Sequence, residues 1–165
     1  MAKKEKGSIN VKECEPYKVF CIEFEGPFTQ AGEKIGELID WIHEHGGITA
    51  SQPIILHTDN PAPAMMEHWR GDICIEAMAD GPGELRPDGD VVAKEIPSTT
   101  VAALVYKGPV QGLMKASNDL LSGLATLGYE QAGPFREVML DEPQEKGGNV
   151  ITSEELQVPV KKLAS

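Results

Sequence analysis

The run Pro134-Phe135-Arg136-Glu137-Val138-Met139-Leu140 sets a carboxylate into an apolar, strand-like segment. On a two-residue period Glu137 shares its face with Phe135 and Met139, and Arg136 points the other way. That face is either a solvated sheet edge or a desolvated interior, and Arg136 leaves the pattern mixed. A desolvated carboxylate demands a cationic partner or takes up a proton. It would then serve as counter-ion to a charged ligand, or as a general acid/base in a catalytic site.

Aromatic and thioether side chains supply candidate walls for such a ligand. Phe24 and Tyr106 stand at equivalent places before two Gly-Pro turns. Their first role is to plug strand ends, and the Tyr106 hydroxyl is also able to face a cleft. Trp41 flanks a helical apolar stripe near Leu38, at a core rim or a cleft wall. Met65, Met66 and Trp69 form an adaptable apolar cluster, a composition that suits promiscuous recognition but is more often ordinary core. The expected ligand-binding set is therefore Glu137, Tyr106, Trp69, Met139, Met66, Trp41 and Phe24. Glu137 and Tyr106 would carry the chemistry if the protein is an enzyme.

Other chemistries find little support. His43 and His45 are two apart on a helix and face different ways, while His57 and His68 lie in separate segments without a cysteine partner, so no metal site is expected. There is no G-x-S-x-G nucleophile motif and no glycine-rich phosphate loop after a strand, and no cofactor is expected. Cysteines 14, 21 and 74 show no C-x-x-C spacing; Cys21 and Cys74 lie in apolar strands and read as inert core thiols in a reduced compartment. A formal net charge of −11 argues against direct nucleic-acid binding. No apolar run approaches the roughly 20 residues of a membrane span, so no membrane association and a cytoplasmic location are expected.

The elements that must position these residues occur twice. Val19 to Gly46 and Val101 to Gly128 both run from an apolar strand through aromatic, charged residue, Gly-Pro and an apolar helical stripe to a closing glycine. At an offset of 82, Lys12/Lys94, Glu13/Glu95, Val19/Val101, Gly26/Gly108, Pro27/Pro109, Leu38/Leu120 and Gly46/Gly128 are identical. The inward stripes are Phe28, Ala31, Ile35, Leu38, Ile39, Ile42 and Val110, Leu113, Ser117, Leu120, Leu121, Leu124. Strands are expected before each helix (Ile9–Glu13 and Val19–Phe24; Val91–Ile96 and Val101–Tyr106) and after it (Pro53–His57, then Ile73–Ala77; Pro134–Leu140, then Leu156–Val160). Residues 1–8 read as a loose tail, 9–163 as one domain of two repeats (9–80 and 91–161), and Asp80–Asp90 as the linker. The fold class is α+β: a tandem duplication of a strand-helix-strand-strand module, with antiparallel sheets and two long helices flanking a central cleft. Aligning Pro53 with Pro134 matches Glu137 to Leu56, a break in the repeat.

The duplicated module, Tyr106-Lys107-Gly108-Pro109, the 134–140 run and the closing Thr152-Ser153-Glu154-Glu155-Leu156-Gln157-Val158-Pro159-Val160 together resemble the GyrI-like small-molecule-binding domain, found also as the effector domain of AraC- and MerR-type multidrug regulators. The resemblance implies a cleft in which aromatic groups and a buried glutamate, here Glu137, hold a ligand that is often lipophilic and cationic. Met139 stands where family members often carry tyrosine. With no DNA-binding segment preceding it, the chain resembles a stand-alone member, a monomer or weak dimer. Among stand-alone members some bind gyrase and some hydrolyse cyclopropane-type genotoxins, so a protein partner (gyrase or a regulator) and a hydrolase activity are the implied alternatives to small-molecule binding.

Overall fold

The computed structural model describes residues 8–164; the expected tail lies, except for Ser8, outside the described residues. Two strands open the chain, β1 (Asn10–Cys14) and β2 (Tyr17–Gly26), followed by α1 (Ala31–Glu44), β3 (Gly47–Thr49), β4 (Ile54–His57), β5 (Trp69–Ile75) and β6 (Ala77–Ala79). After the linker come β7 (Val91–Ile96), β8 (Thr99–Pro109), α2 (Leu113–Gly123), β9 (Tyr129–Gln131), β10 (Arg136–Met139), β11 (Gln144–Lys146) and β12 (Asn149–Lys162). This is an α+β fold with two helices on a mostly antiparallel sheet. No helix among the described residues is long and apolar enough to cross a membrane.

The main sheet runs β1-β8-β12-β10-β4-β5-β2-β7, with β9 and β11 paired to β12. Links of two residues, Glu15-Pro16 and Pro97-Ser98, join strands that stand near opposite ends of this order. A two-residue link spans only about 10 Å, so the sheet must curl until its ends approach. At its middle β4 pairs antiparallel with β10, placing Ile55 opposite Glu137 and Leu56 opposite Arg136. The four-residue strands β4 and β10 lie at the same offset of 82 as the rest of the repeat. Glu137 therefore corresponds to Ile55, one residue from the expected Leu56, and His57 corresponds to Met139.

Each Gly-Pro leads first into a short 3-10 turn (Phe28–Gln30 and Val110–Gly112), and the α-helices begin one turn later than the apolar stripe implies. Gly46 follows the end of α1, and Gly128 ends the 3-10 turn Ala125–Leu127 that succeeds α2; their φ values of 78° and 85° are a left-handed conformation open to glycine at little cost. Leu38 and Ile42 from α1 and Leu120 from α2 are fully buried, each worth roughly 1.5–3 kcal/mol over leaving it in water. Beneath α1 lie Ile22, Phe24, Ile55, Trp69, Ile73, Ile75 and Met139, and beneath α2 lie Ala102, Leu104, Phe135, Leu156 and Val158.

The sheet face turned away from the helices carries Val19, Cys21, Ile54, Cys74 and Ile96. Cys21 and Cys74 stand directly opposite each other on β2 and β5 and form a disulfide, correcting the expectation of inert thiols. Strand pairing brings together two residues 53 apart in sequence, a separation with no signature. Cys14 remains a buried free thiol.

Candidate functional site

Strand register gathers six polar or aromatic side chains on the helix-facing side of the sheet. On β10, Glu137 and Met139 face the helices; on β4, Ile55 and His57; on β5, Trp69, Gly71 and Ile73; on β12, Thr152, Glu154 and Leu156; on β8, Tyr106. Glu137 sits opposite Leu156, and Glu154 sits opposite both Met139 and Tyr106. The two glutamates are thus diagonal neighbours on adjacent strands, close enough for their side chains to interact. Glu137 is 4% exposed and Glu154 3%, which resolves the open question about Glu137 in favour of a desolvated interior.

Hydrogen bonding fixes the state of the histidine. Trp69 Nε1 donates to His57 Nδ1 at 2.9 Å, so Nδ1 is the unprotonated nitrogen and the ring proton is on Nε2. That Nε2–H donates to Glu137 Oε2 at 2.5 Å. A second proton on His57 would have to displace the indole N–H. Burial reinforces this, lowering the His57 pKa to about 4, with Glu154 opposing. Trp69 reaches its position because its indole lies across Gly71, where a Cβ would collide with the ring. Phe28 stacks on the other side of His57 at 6.0 Å, and Phe135 meets it edge-on at 5.5 Å.

Neither carboxyl of the pair is bridged to a Lys or Arg among the described residues. Burial raises the pKa of Glu137, with Glu154 partly opposing the rise. Burial likewise pushes Glu154 up to about 10, and Glu137 adds to the rise. Thr152 Oγ1 donates to Glu154 Oε2 at 2.7 Å; Glu154 Oε1 meets no donor among the described residues while both acids are ionised, and a proton on one lets the two glutamates bond each other. Arg136, the charged neighbour in sequence, is on the opposite face, where its Nε donates to Gln157 at 2.7 Å. Lys12 is bound there to Glu155 at 2.6 Å.

A cavity of about 680 Å³ adjoins the cluster, lined by Phe28, Met65, Met66, Val110, Leu113 and Met114 among others. It opens between the 3-10 turn ahead of α1 and the start of α2, so both halves contribute walls. Phe28 belongs to the cavity and to the His57 stack alike, so this ring stands between the apolar space and the buried acids, neither of which lines the cavity.

The structure brings Glu137, Trp69 and Met139 together with His57 and Glu154, and it puts Met66 on the cavity wall. Trp69 is the first residue of β5 rather than lying before the strand, and it is 3% exposed. Phe24 is buried against Trp69, with ring centroids 5.9 Å apart. Tyr106 pairs with Glu154 across the strands, yet its hydroxyl donates to the Pro109 carbonyl at 2.5 Å and its ring lines a separate cavity of about 360 Å³ with Gly112 and Lys115. Trp41 stands apart from the group: its Nε1 donates to Asp88 of the linker at 2.9 Å, and its ring stacks on His45 at 4.1 Å. Among the described residues no group of three or more His, Cys, Asp or Glu is placed to hold a metal ion.

The sequence profile of the GyrI-like small-molecule-binding domain matches residues 8–161. The chain belongs to that family. Of solved structures, the C-terminal domain of EcmrR is 20% identical, with a TM-score of 0.78 over 94% of this chain and 98% of that one. EcmrR in its complex with DNA gives a TM-score of 0.79 at 20% identity, and this chain spans 58% of that longer protein. A Listeria innocua hydrolase encoded by lin2189 is 9% identical, with a TM-score of 0.64 over 96% of this chain and 94% of that one. SAV2435 bound to tetraphenylphosphonium is 12% identical, with a TM-score of 0.51 over 93% and 94%. These likenesses establish the fold. A search of curated proteins found no match.

His57 and Glu154 were not among the expected site residues. Glu154 had a readable signal: Thr152, Glu154, Leu156 and Val158 alternate, and the last two are apolar. His57 carried the same signal through its period with Ile55.

Proposed function

We propose that this GyrI-like domain binds a lipophilic organic cation, held in the cleft between repeats 9–80 and 91–161. The observation that carries this reading is the buried Glu137–Glu154 pair, neither member of which is paired with a Lys or Arg among the described residues. A desolvated carboxylate strongly favours an incoming positive charge. Phe28, Met65, Met66, Leu113 and Met114 supply an adaptable apolar wall for the remainder of the ligand. SAV2435, solved with tetraphenylphosphonium, supports a ligand of this type. The test is titration of hydrophobic cations while following tryptophan fluorescence, since Trp69 is bonded into the cluster. Saturable quenching that weakens at least tenfold in Glu137→Gln is expected, and equal affinity in the variant would remove the counter-ion role.

The same pair favours one second reading, hydrolysis of a reactive, cyclopropane-type electrophile. Glu154, held protonated by burial, has the proton a general acid gives, and Glu137 is placed to orient water. Fold neighbours from Listeria innocua that are called hydrolases support this reading. Incubation with a cyclopropane-bearing electrophile and mass spectrometry separates it from binding: product above the buffer rate is required.

A further inference from the structure

The cluster raises a question of charge balance. Around Glu137 and Glu154 the neighbouring elements present His57 from β4, Tyr106 from β8, Thr152 from β12 and the neutral rings of Trp69, Phe28 and Phe135. His57 cannot supply a positive charge while Trp69 N–H occupies its Nδ1. The Tyr106 hydroxyl is committed to Pro109. Lys115 of α2, beside Tyr106, is exposed and paired with Asp119 at 2.9 Å, and Lys34 of α1 is paired with Glu37 at 2.8 Å. Arg136 and Lys12 are engaged by Gln157 and Glu155 on the far face.

Among the described residues no cation therefore compensates two carboxyls that are both at least 95% buried. An isolated buried carboxylate is costly enough that such a group neutralises by taking up a proton. The empty cluster accordingly holds a proton on each glutamate: Glu154 accepts from Thr152 through Oε2 and shares a hydrogen bond with Glu137, which accepts from His57 through its own Oε2.

We infer that a cationic ligand enters this site in exchange for one proton, so that the cluster is electrically neutral both empty and filled. This rests on the reading of the cleft as a cation site and adds its regulation. The balance is simple: one carboxyl O–H ionises, its proton passes to solvent, and the carboxylate left behind pairs with the ligand charge, while the second carboxyl keeps its proton. Binding of a permanent cation then strengthens with pH, up to about tenfold per pH unit for one proton released. Binding of a neutral compound of the same shape does not change. Both raised carboxyl pKa values agree with this state of the empty site.

The experiment is isothermal titration of the full chain with tetraphenylphosphonium, which cannot itself titrate, at pH 7.0 in phosphate, HEPES and Tris. The slope of observed enthalpy against buffer ionisation enthalpy counts protons released. A value near one is expected, and triphenylphosphine oxide, a neutral comparator, should give zero if it binds. Affinity for the cation should rise as pH goes from 6.5 to 8. Saturable cation binding with a proton count near zero and no pH dependence overturns the inference and leaves the cation site standing. Absence of binding at every pH removes both. The wild-type count decides the matter without a variant; Glu137→Gln, if folded, should lower both affinity and proton count.

Discussion

Replacing Glu154 by glutamine should flatten the dependence of stability on pH. An unperturbed glutamate titrates near 4.5, and in the folded chain Glu154 titrates at about 10. Between those values the native state holds a proton that the unfolded state has lost. Stability falls as pH rises wherever the native state binds more protons, and for one proton the slope is about 1.4 kcal/mol per pH unit. His57 works in the opposite sense. Its pKa drops from 6.5 to about 4 on folding, so its contribution grows as pH rises to 6.5 and is constant above. Glu137, also raised by burial, acts in the same direction as Glu154. The window from pH 6.5 to 8.5 consequently removes His57 from the comparison, and His45, raised by its bond to Asp88, contributes alike to both proteins. Glutamine at 154 keeps an oxygen for the Thr152 hydroxyl but cannot ionise. Urea unfolding at pH 6.5, 7.5 and 8.5 should show wild-type stability falling across the series, and the variant falling less steeply by about 1.4 kcal/mol per pH unit. Parallel lines for the two proteins would refute the buried, protonated state of Glu154.

Three further outcomes follow from the geometry. Trp69→Phe removes the donor to His57 Nδ1, so the His57 pKa should rise from about 4 toward its ordinary range, as read by histidine NMR titration; an unchanged value would mean that burial alone sets it. Asp88→Asn weakens the contact that joins the linker to Trp41 and His45; both ring nitrogens of His45 face acceptors, which favours the imidazolium and raises its pKa, and the variant should bring that pKa down in the same experiment. Denatured protein should present one reactive thiol, Cys14, without reductant and three with it; three without reductant would contradict the disulfide between Cys21 and Cys74.

Much of this architecture was legible because it rests on local periods. Leu38, Ile42 and Leu120 announced the buried helix stripes, apolar runs located β2 and β8, and alternation located β1, β5 and β12. The Gly-Pro pairs marked the helix entries but concealed the intervening 3-10 turns, since proline is compatible with either kind of turn. The site was only half legible. Glu137 stood out as a charge between Phe135 and Met139, whereas Glu154 was masked by Glu155 beside it, an adjacent pair that looks like a solvated run. His57 was weighed only as a metal ligand, and its actual partners, Trp69 and Glu137, are 12 and 80 residues away. Such partners are set by which strands become neighbours. The pairing of β4 with β10 and of β2 with β5 is a property of the whole sheet, and it also brought Cys21 onto Cys74.

The two halves share an order of strands and helix at an offset of 82 and differ at the buried acid. Ile55 and Glu137 face each other across the middle of the sheet at equivalent positions, one apolar and one acidic. His57 comes from the first half and Glu137 and Glu154 from the second, so the cluster needs both. The most direct test of that account is a crystal structure of the protein with tetraphenylphosphonium. The account predicts the phosphonium in the space bounded by Phe28, Met65 and Met114, its charge facing the Glu137 and Glu154 carboxyls with Phe28 moved aside. A ligand lodged in the cavity beside Tyr106 and Lys115, or remote from both glutamates, would contradict it.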